Sequence, residues 1–121
     1  MITGIGLDIV EINRIRALED RQPRFAERIL GEKELKIYQG LKGLRRTEFL
    51  AGRFAGKEAF AKASGLGIGK SLSFQDIQIT KEKSGKPVAE SPHLGGTAVH
   101  VSITHTKEYA AAQIILESLS S

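Results

Sequence analysis

Residues 53–69, RFAGKEAFAKASGLGIG, set Arg53, Lys57, Glu58 and Lys62 among alanines and glycines at helical spacing, then run into alternating glycines. Phe54, Glu58 and Lys62 share one stripe of such a helix, and Arg53 and Lys57 share the next. Taken alone, Glu58 and Lys62 read as a solvated pair worth roughly a few tenths of a kcal/mol. Three features pull away from that reading. Ala55, Gly56, Ala59 and Ala61 let another backbone or a ligand come close, and the helix ends in a glycine-rich loop. A second carboxylate, Asp8, ends the strand-like stretch ITGIGLDI at residues 2–9. There Thr3, Ile5, Leu7 and Ile9 fall on one face, while Ile2, Gly4, Gly6 and Asp8 fall on the other. The strand therefore has one apolar face, and one bare face that ends in an acid.

Around these two segments the periodicity predicts helices first. Ile9, Ile12, Ile15 and Leu18 follow helical spacing. Pro23 suits the first turn of a second helical piece, in which Phe25 and Ile29 lie one turn apart. Leu35, Tyr38 and Leu41 predict a short third helix, and residues 45–64 a long fourth with Phe49, Leu50, Phe54 and Ala61 on its apolar side. Beyond Gly65 the period changes to two. FQDIQIT and KPVAE flank KEKSGK, a hairpin with Ser84-Gly85 at its turn. TAVHVSIT and YAAAQIILE flank HTKE, a second hairpin. Helices followed by antiparallel strands predict an α+β fold, as one domain over residues 1–121.

Composition narrows the function classes. At 121 residues, 40% hydrophobic and 26% charged, the chain can bury a modest core. Without cysteine it has no disulfide and no thiolate zinc site. No apolar run reaches the length of a membrane span. MITGIGLDIVE carries Asp8 and lacks a basic leading region, so no signal peptide and a cytoplasmic location are expected. A net charge of +4 and a pI near 9.5 favour an anionic partner. Arg14, Arg16, Arg21, Arg24 and Arg28 crowd one segment, and Arg45, Arg46 and Arg53 another. Such faces are often merely solvated, but the guanidinium fork suits carboxylates and phosphates. A nucleic-acid-binding domain would explain the pI. It would not explain Asp8 and Glu58, which repel a phosphate backbone unless a metal intervenes, and 6% aromatic residues give no evident stacking platform.

Two carboxylates without a histidine–cysteine cluster suit a hard cation such as Mg2+, which is usually held by one or two carboxylates plus phosphate oxygens. Asp8 and Glu58 would suffice if the substrate brings phosphates, with Arg53, Lys57 and Lys62 offsetting the remaining charge. The loop GLGIGK, residues 65–70, is a weak second signal for phosphate, since helix termination also accounts for it. In HVSITHTKEY, Ala98, His100, Ser102 and Thr104 share one strand face, and Val99, Val101 and Ile103 the other. The turn that follows offers Thr104, His105 and Thr106 to an anion.

GIGLDIVEI, FLAGRFAGKEAFAKASG and VHVSITHT together resemble the bacterial holo-acyl-carrier-protein synthase family, small 4'-phosphopantetheinyl transferases. The resemblance extends over essentially the whole chain, including RFAERIL and EYAAAQIILE. It implies transfer of the phosphopantetheine arm of coenzyme A to a serine of an acyl carrier protein, in support of fatty acid biosynthesis, with 3',5'-ADP released. It makes Asp8 and Glu58 the Mg2+ ligands, and Asp8, Glu58 and Lys62 the catalytic set, with Glu58 or a water on the ion as the base. Arg53, Lys57, Gly65, Thr104, His105 and Thr106 would meet coenzyme A. Ser84, Gly85, Lys86 and Pro87 would reach it from a neighbouring subunit, because the family is a homotrimer with sites at subunit boundaries. Position 84 departs from the amide side chain expected there. Arg14, Arg21, Arg24 and Arg28, with Phe25 between them, would receive the acidic carrier protein. By its spacing to Ile29, Phe25 reads equally well as core. Neither nucleic acid nor membrane figures among the partners so implied.

Overall fold

The computed structural model describes residues 1–69 and 71–120. The chain begins with strand β1 (Ile2–Glu11), followed by helices α1 (Ile12–Arg21), α2 (Phe25–Ile29), α3 (Glu32–Gln39) and α4 (Gly43–Ser64). A single 3-10 turn, Phe74–Asp76, leads into strands β2 (Gln78–Lys81), β3 (Pro87–Glu90), β4 (Thr97–His105) and β5 (Tyr109–Ser118). The long strands form one antiparallel sheet in the order β1-β5-β4, and β2 and β3 form a separate hairpin. The α+β class and both hairpins match the periodicity. Among the described residues no helix is long and apolar enough to cross a membrane.

The first strand uses its two faces in an order that alternation does not disclose. Ile5, Leu7 and Ile9 are 63%, 63% and 64% exposed. The bare face is the one that packs. A Cβ on Gly6 would lie 1.8 Å from the Ala59 carbonyl oxygen, and one on Gly4 would lie 2.0 Å from that of Ala63. The absent side chains allow α4 to rest backbone-to-backbone on β1, with Val10 completing the buried face. Ala59 and Ala63 of α4 serve the same contact from the other side, while its glycines make room for side chains of the other strands. Ala55 and Ala59 are fully buried, and Gly56 leaves room for Ile79 of β2. Phe60, Leu50, Ile12, Ile15, Ile77, Ile79 and Ile114 fill the rest of the core.

Smaller differences have local causes. Phe74–Asp76 is a turn and not the start of a strand. The Ser73 hydroxyl accepts the Gln75 N–H at 3.1 Å while Asp76 accepts the Ser73 N–H at 3.0 Å, and these bonds hold the backbone in a capping box. Pro23 lies in the turn ahead of α2, two residues before its start. Gly65 closes α4 in the left-handed region at φ 73.

The backbone contact leads to a stability prediction. Gly6→Ala should cost about 1–3 kcal/mol or more by chemical denaturation, as overpacking does. Gly67→Ala, where an added Cβ meets nothing within 4 Å, should stay within about 0.5 kcal/mol.

Candidate functional site

Asp8 stands two residues beyond Gly6 on the packed face of β1, opposite Ala112 in the β5 register. Lys62 lies one turn beyond Glu58 on α4. The Lys62 Nζ donates to Asp8 Oδ1 and to the Leu7 carbonyl, each at 3.0 Å. Glu58 is half-buried, and its carboxyl pKa is raised by burial and then by the charge of Asp8, while Lys62 and Arg14 pull it down. The acid of the first strand, the acid of the long helix and the lysine therefore form one electrostatic unit, at the place where two glycines let strand and helix touch. Arg14, at the start of α1, reaches this unit as well.

A second feature lies at the other half of α4. A cavity of about 550 Å³ is lined by Arg45, Glu48, Phe49, Arg53, Lys81, Gly85, Pro87, Ile103 and His105, among others. Arg53 is buried there, its guanidinium 4.1 Å over the Phe49 ring and its Nε donating to the Ile79 carbonyl at 3.2 Å. His105 Nε2 is 3.5 Å from Glu48 Oε2. Four of the residues expected at coenzyme A — Arg53, Gly85, Pro87 and His105 — thus share one cavity wall.

The remaining sequence-predicted residues fall into distinct places. Lys57 cannot meet a ligand. It is fully buried, donating to the Ile29 carbonyl at 2.7 Å and paired with Glu34. The Glu34 carboxylate also accepts the N–H groups of Gly31 and Ile79, at 2.9 and 2.8 Å. This buried pair joins α2, α3, α4 and β2, so the ammonium is spent on the fold. Phe25 is 8% exposed and 6.2 Å from the Phe54 ring, so it belongs to the core. Arg14, Arg21, Arg24 and Arg28 are exposed. Ser84 and Lys86 are exposed at the hairpin turn. The Thr106 hydroxyl accepts the Tyr109 N–H at 3.1 Å and shapes the β4–β5 turn, and Thr104 is exposed on the opposite sheet face from Ile103. Lys70, the end of the GLGIGK reading, lies outside the described residues.

Sequence reasoning passed over Glu34, Glu19, Glu48 and the cavity role of Arg45. Glu34 had a signal, since it stands one turn before Tyr38 on the buried stripe of α3. Nothing local distinguishes Glu48 or Arg45.

The chain does not bring its two features together. Glu58 follows Arg53 by five residues, about 7.5 Å along the helix axis and about 140° around it. The cavity wall contains neither Asp8, Glu58 nor Lys62.

An α+β chain that pairs two carboxylates and a lysine, and holds an arginine-and-aromatic cavity of nucleotide size, is equipped to handle a phosphorylated nucleotide-like substrate. Comparison with known proteins agrees. The sequence matches the 4'-phosphopantetheinyl transferase superfamily over residues 4–114. It is 62% identical to the holo-[acyl-carrier-protein] synthase of Bacillus subtilis and 61% to that of Bacillus pumilus, covering all of each chain. Its structure resembles the Bacillus anthracis holo-(acyl-carrier-protein) synthase in complex with CoA (3',5'-ADP), with TM-score 0.90, 52% identity and 98% of each chain covered. It also resembles the Helicobacter pylori synthase in complex with coenzyme A, with TM-score 0.80 and 33% identity over 93% of this chain and 99% of that one. The chain belongs to the 4'-phosphopantetheinyl transferase superfamily and, within it, to the holo-acyl-carrier-protein synthases.

The carboxylate pair gives a second prediction. In metal-free protein, carbon-detected NMR titration should place the Glu58 midpoint above the ordinary glutamate range. Asp8→Asn removes a like charge and should lower that midpoint. An unchanged midpoint would separate the two acids.

Proposed function

We propose that this protein transfers the 4'-phosphopantetheine arm of coenzyme A to a serine of an apo acyl carrier protein and releases 3',5'-ADP, in support of fatty acid biosynthesis. The observation that carries the proposal is the Asp8–Glu58–Lys62 unit, built into a chain of the synthase family. Asp8 and Glu58 also fit a divalent cation. Both donors are oxygens, and Asp8 already raises the Glu58 pKa, a like-charge repulsion that a cation relieves. Among the described residues no three His, Asp or Glu side chains gather to enclose an ion, so substrate phosphates and water would complete the shell. Bound there, Mg2+ would draw negative charge from the diphosphate oxygens and stabilise the transition state.

The chain's own residues supply the rest. Glu58, at the meeting point of ion and substrate, takes the proton of the carrier's serine hydroxyl. The serine oxygen attacks the β-phosphorus. The bond from that phosphorus to the 3',5'-ADP oxygen breaks, and the electron pair leaves with the nucleotide. Lys62 offers its ammonium to the charge that develops, a role that needs it to move only from Asp8 to a phosphate oxygen. Lys57 has no part in this chemistry.

The nucleotide end fits the α4 cavity, where Phe49, Ile103 and Pro87 present apolar surface to a base, Arg45, Arg53 and Lys81 present positive charge to phosphates, and His105 presents its imidazole. Because that cavity and the carboxylates face different ways on one chain, a complete site takes its cavity from one copy and its acids from another. The exposed apolar row Ile5, Leu7 and Ile9 supports such packing, which closes as a homotrimer. Exposed Ser84, Gly85 and Lys86 on the β2–β3 turn then line the boundary. Gly65, Thr104 and Thr106 are assigned to the pantetheine and phosphate path. Exposed Arg14, Arg21, Arg24 and Arg28 steer the acidic carrier protein, with Arg14 beside Glu58 marking where its serine enters. This chemistry belongs in the cytoplasm, where coenzyme A and the carrier meet.

Mass spectrometry of an apo carrier protein incubated with coenzyme A, Mg2+ and this protein should show the carrier gain one phosphopantetheine. Glu58→Gln should abolish the gain, and so should the cavity double variant Arg53→Ala with His105→Ala. Mixing the two inactive proteins should restore part of the activity if sites are shared between copies. Persistent inactivity of a verified mixed oligomer would place each site within one chain.

A further inference from the structure

The first helix is secured unevenly. Its buried side chains, Ile12 and Ile15, both lie in its first half, where the Ile12 N–H also donates to the Glu108 carbonyl at 2.8 Å. The second half, Arg16 to Arg21, has only the half-buried Leu18 and one other inward group. That group is the carboxylate of Glu19, whose side chain is 5% exposed. The Tyr38 hydroxyl of α3 donates to one of its oxygens, and the Thr47 hydroxyl of α4 donates to the other. Arg46 Nε lies 3.7 Å from the oxygen that Tyr38 holds, and its guanidinium sits 5.2 Å over the Tyr38 ring. Apolar packing is thin here, because a cavity of about 290 Å³ opens beside this cluster, lined by Gln22, Pro23, Leu35 and Tyr38 among others.

We propose that Glu19 is a positioning residue for carrier recognition, fixing the C-terminal half of α1, and with it Arg21, in the orientation that receives the acidic carrier protein. The inference rests on the reading of α1 as the docking helix. Burying a carboxylate gains little stability over an apolar group of the same volume. What it adds is direction. Two hydroxyls on two different helices fix both the rotation and the height of α1, which a slippery apolar contact does not. Burial, reinforced by the Glu19 bond and charge, pushes the Tyr38 phenol above its ordinary pKa, so it remains a donor across the working range. Arg14 sits in the half that Ile12 and Ile15 hold, so its placement does not depend on Glu19. Arg21 sits two residues from the carboxylate, in the half that does.

Steady-state kinetics on the full protein tests this. Glu19→Gln, and separately Tyr38→Phe, should raise KM for the carrier by up to about tenfold, the scale of one hydrogen bond to a charged group. The KM for coenzyme A and kcat should stay within about twofold. Tyr38→Phe keeps the ring and removes one donor, and cooperative melting well above the assay temperature checks that both variants fold. In double-mutant cycles on carrier KM, Glu19→Gln should be non-additive with Arg21→Ala and additive with Arg14→Ala. A merely structural role would move both KM values together or give additivity with both arginines, and either result overturns the proposal. If Arg21→Ala raises carrier KM while Glu19→Gln leaves it unchanged, Glu19 alone is wrongly assigned. If Arg21→Ala has no effect either, the docking reading fails and this inference with it.

Discussion

Everything specific to this molecule depends on how closely β1 and α4 approach. A side chain at Gly4 or Gly6 would occupy the space of a helix carbonyl. With none there, the axis of α4 comes near enough to the strand for Asp8, Glu58 and Lys62 to act on one another. The contact explains why a chain with a modest core devotes so many small residues to its longest helix. They exchange side-chain volume for backbone proximity, and that proximity is what the acids require. The four charges of that helix then divide by depth. Lys57 is fully buried and fastens α4 to α3, Arg53 is buried against β2 at the cavity wall, and Glu58 and Lys62 lie nearer the surface.

The same approach turns the sheet inside out. Because β1 packs through its bare face, Ile5, Leu7 and Ile9 point away from the core. An apolar row of this kind is unfavourable in water unless another surface covers it. The nucleotide-sized cavity and the acidic pair look in different directions along α4, so in the proposed assembly one event, association of copies, would both cover the row and complete the site.

Much of this was legible in the residues, for physical reasons. Helical spacing from Ile12 to Ala61 and alternation in β4 reflect burial along one side of regular elements, so the order of elements and both hairpins could be read. Asp8, Glu58 and Lys62 could be singled out because small neighbours made their charges conspicuous. Which face of β1 is buried was not legible. Alternation counts apolar side chains, while the packing here is driven by their absence. Lys57 misled for a related reason. Helical spacing puts it beside Arg53, but its fate depends on Glu34, 23 residues earlier in the chain. Phe25 fits core or surface equally well by its spacing to Ile29, and only its contact with Phe54 decides. The hydroxyls that hold Glu19 come from two other helices, and no local pattern predicts such a meeting.

The central claim is that an acid on the first strand and another on the long helix jointly hold one divalent ion against the diphosphate of coenzyme A. The most direct measurement is anomalous diffraction from crystals grown with Mn2+ and coenzyme A. The account predicts one manganese peak within bonding distance of both the Asp8 and Glu58 carboxylates and of diphosphate oxygens. A peak bound by only one of the two acids, or a diphosphate seated away from both, would contradict it.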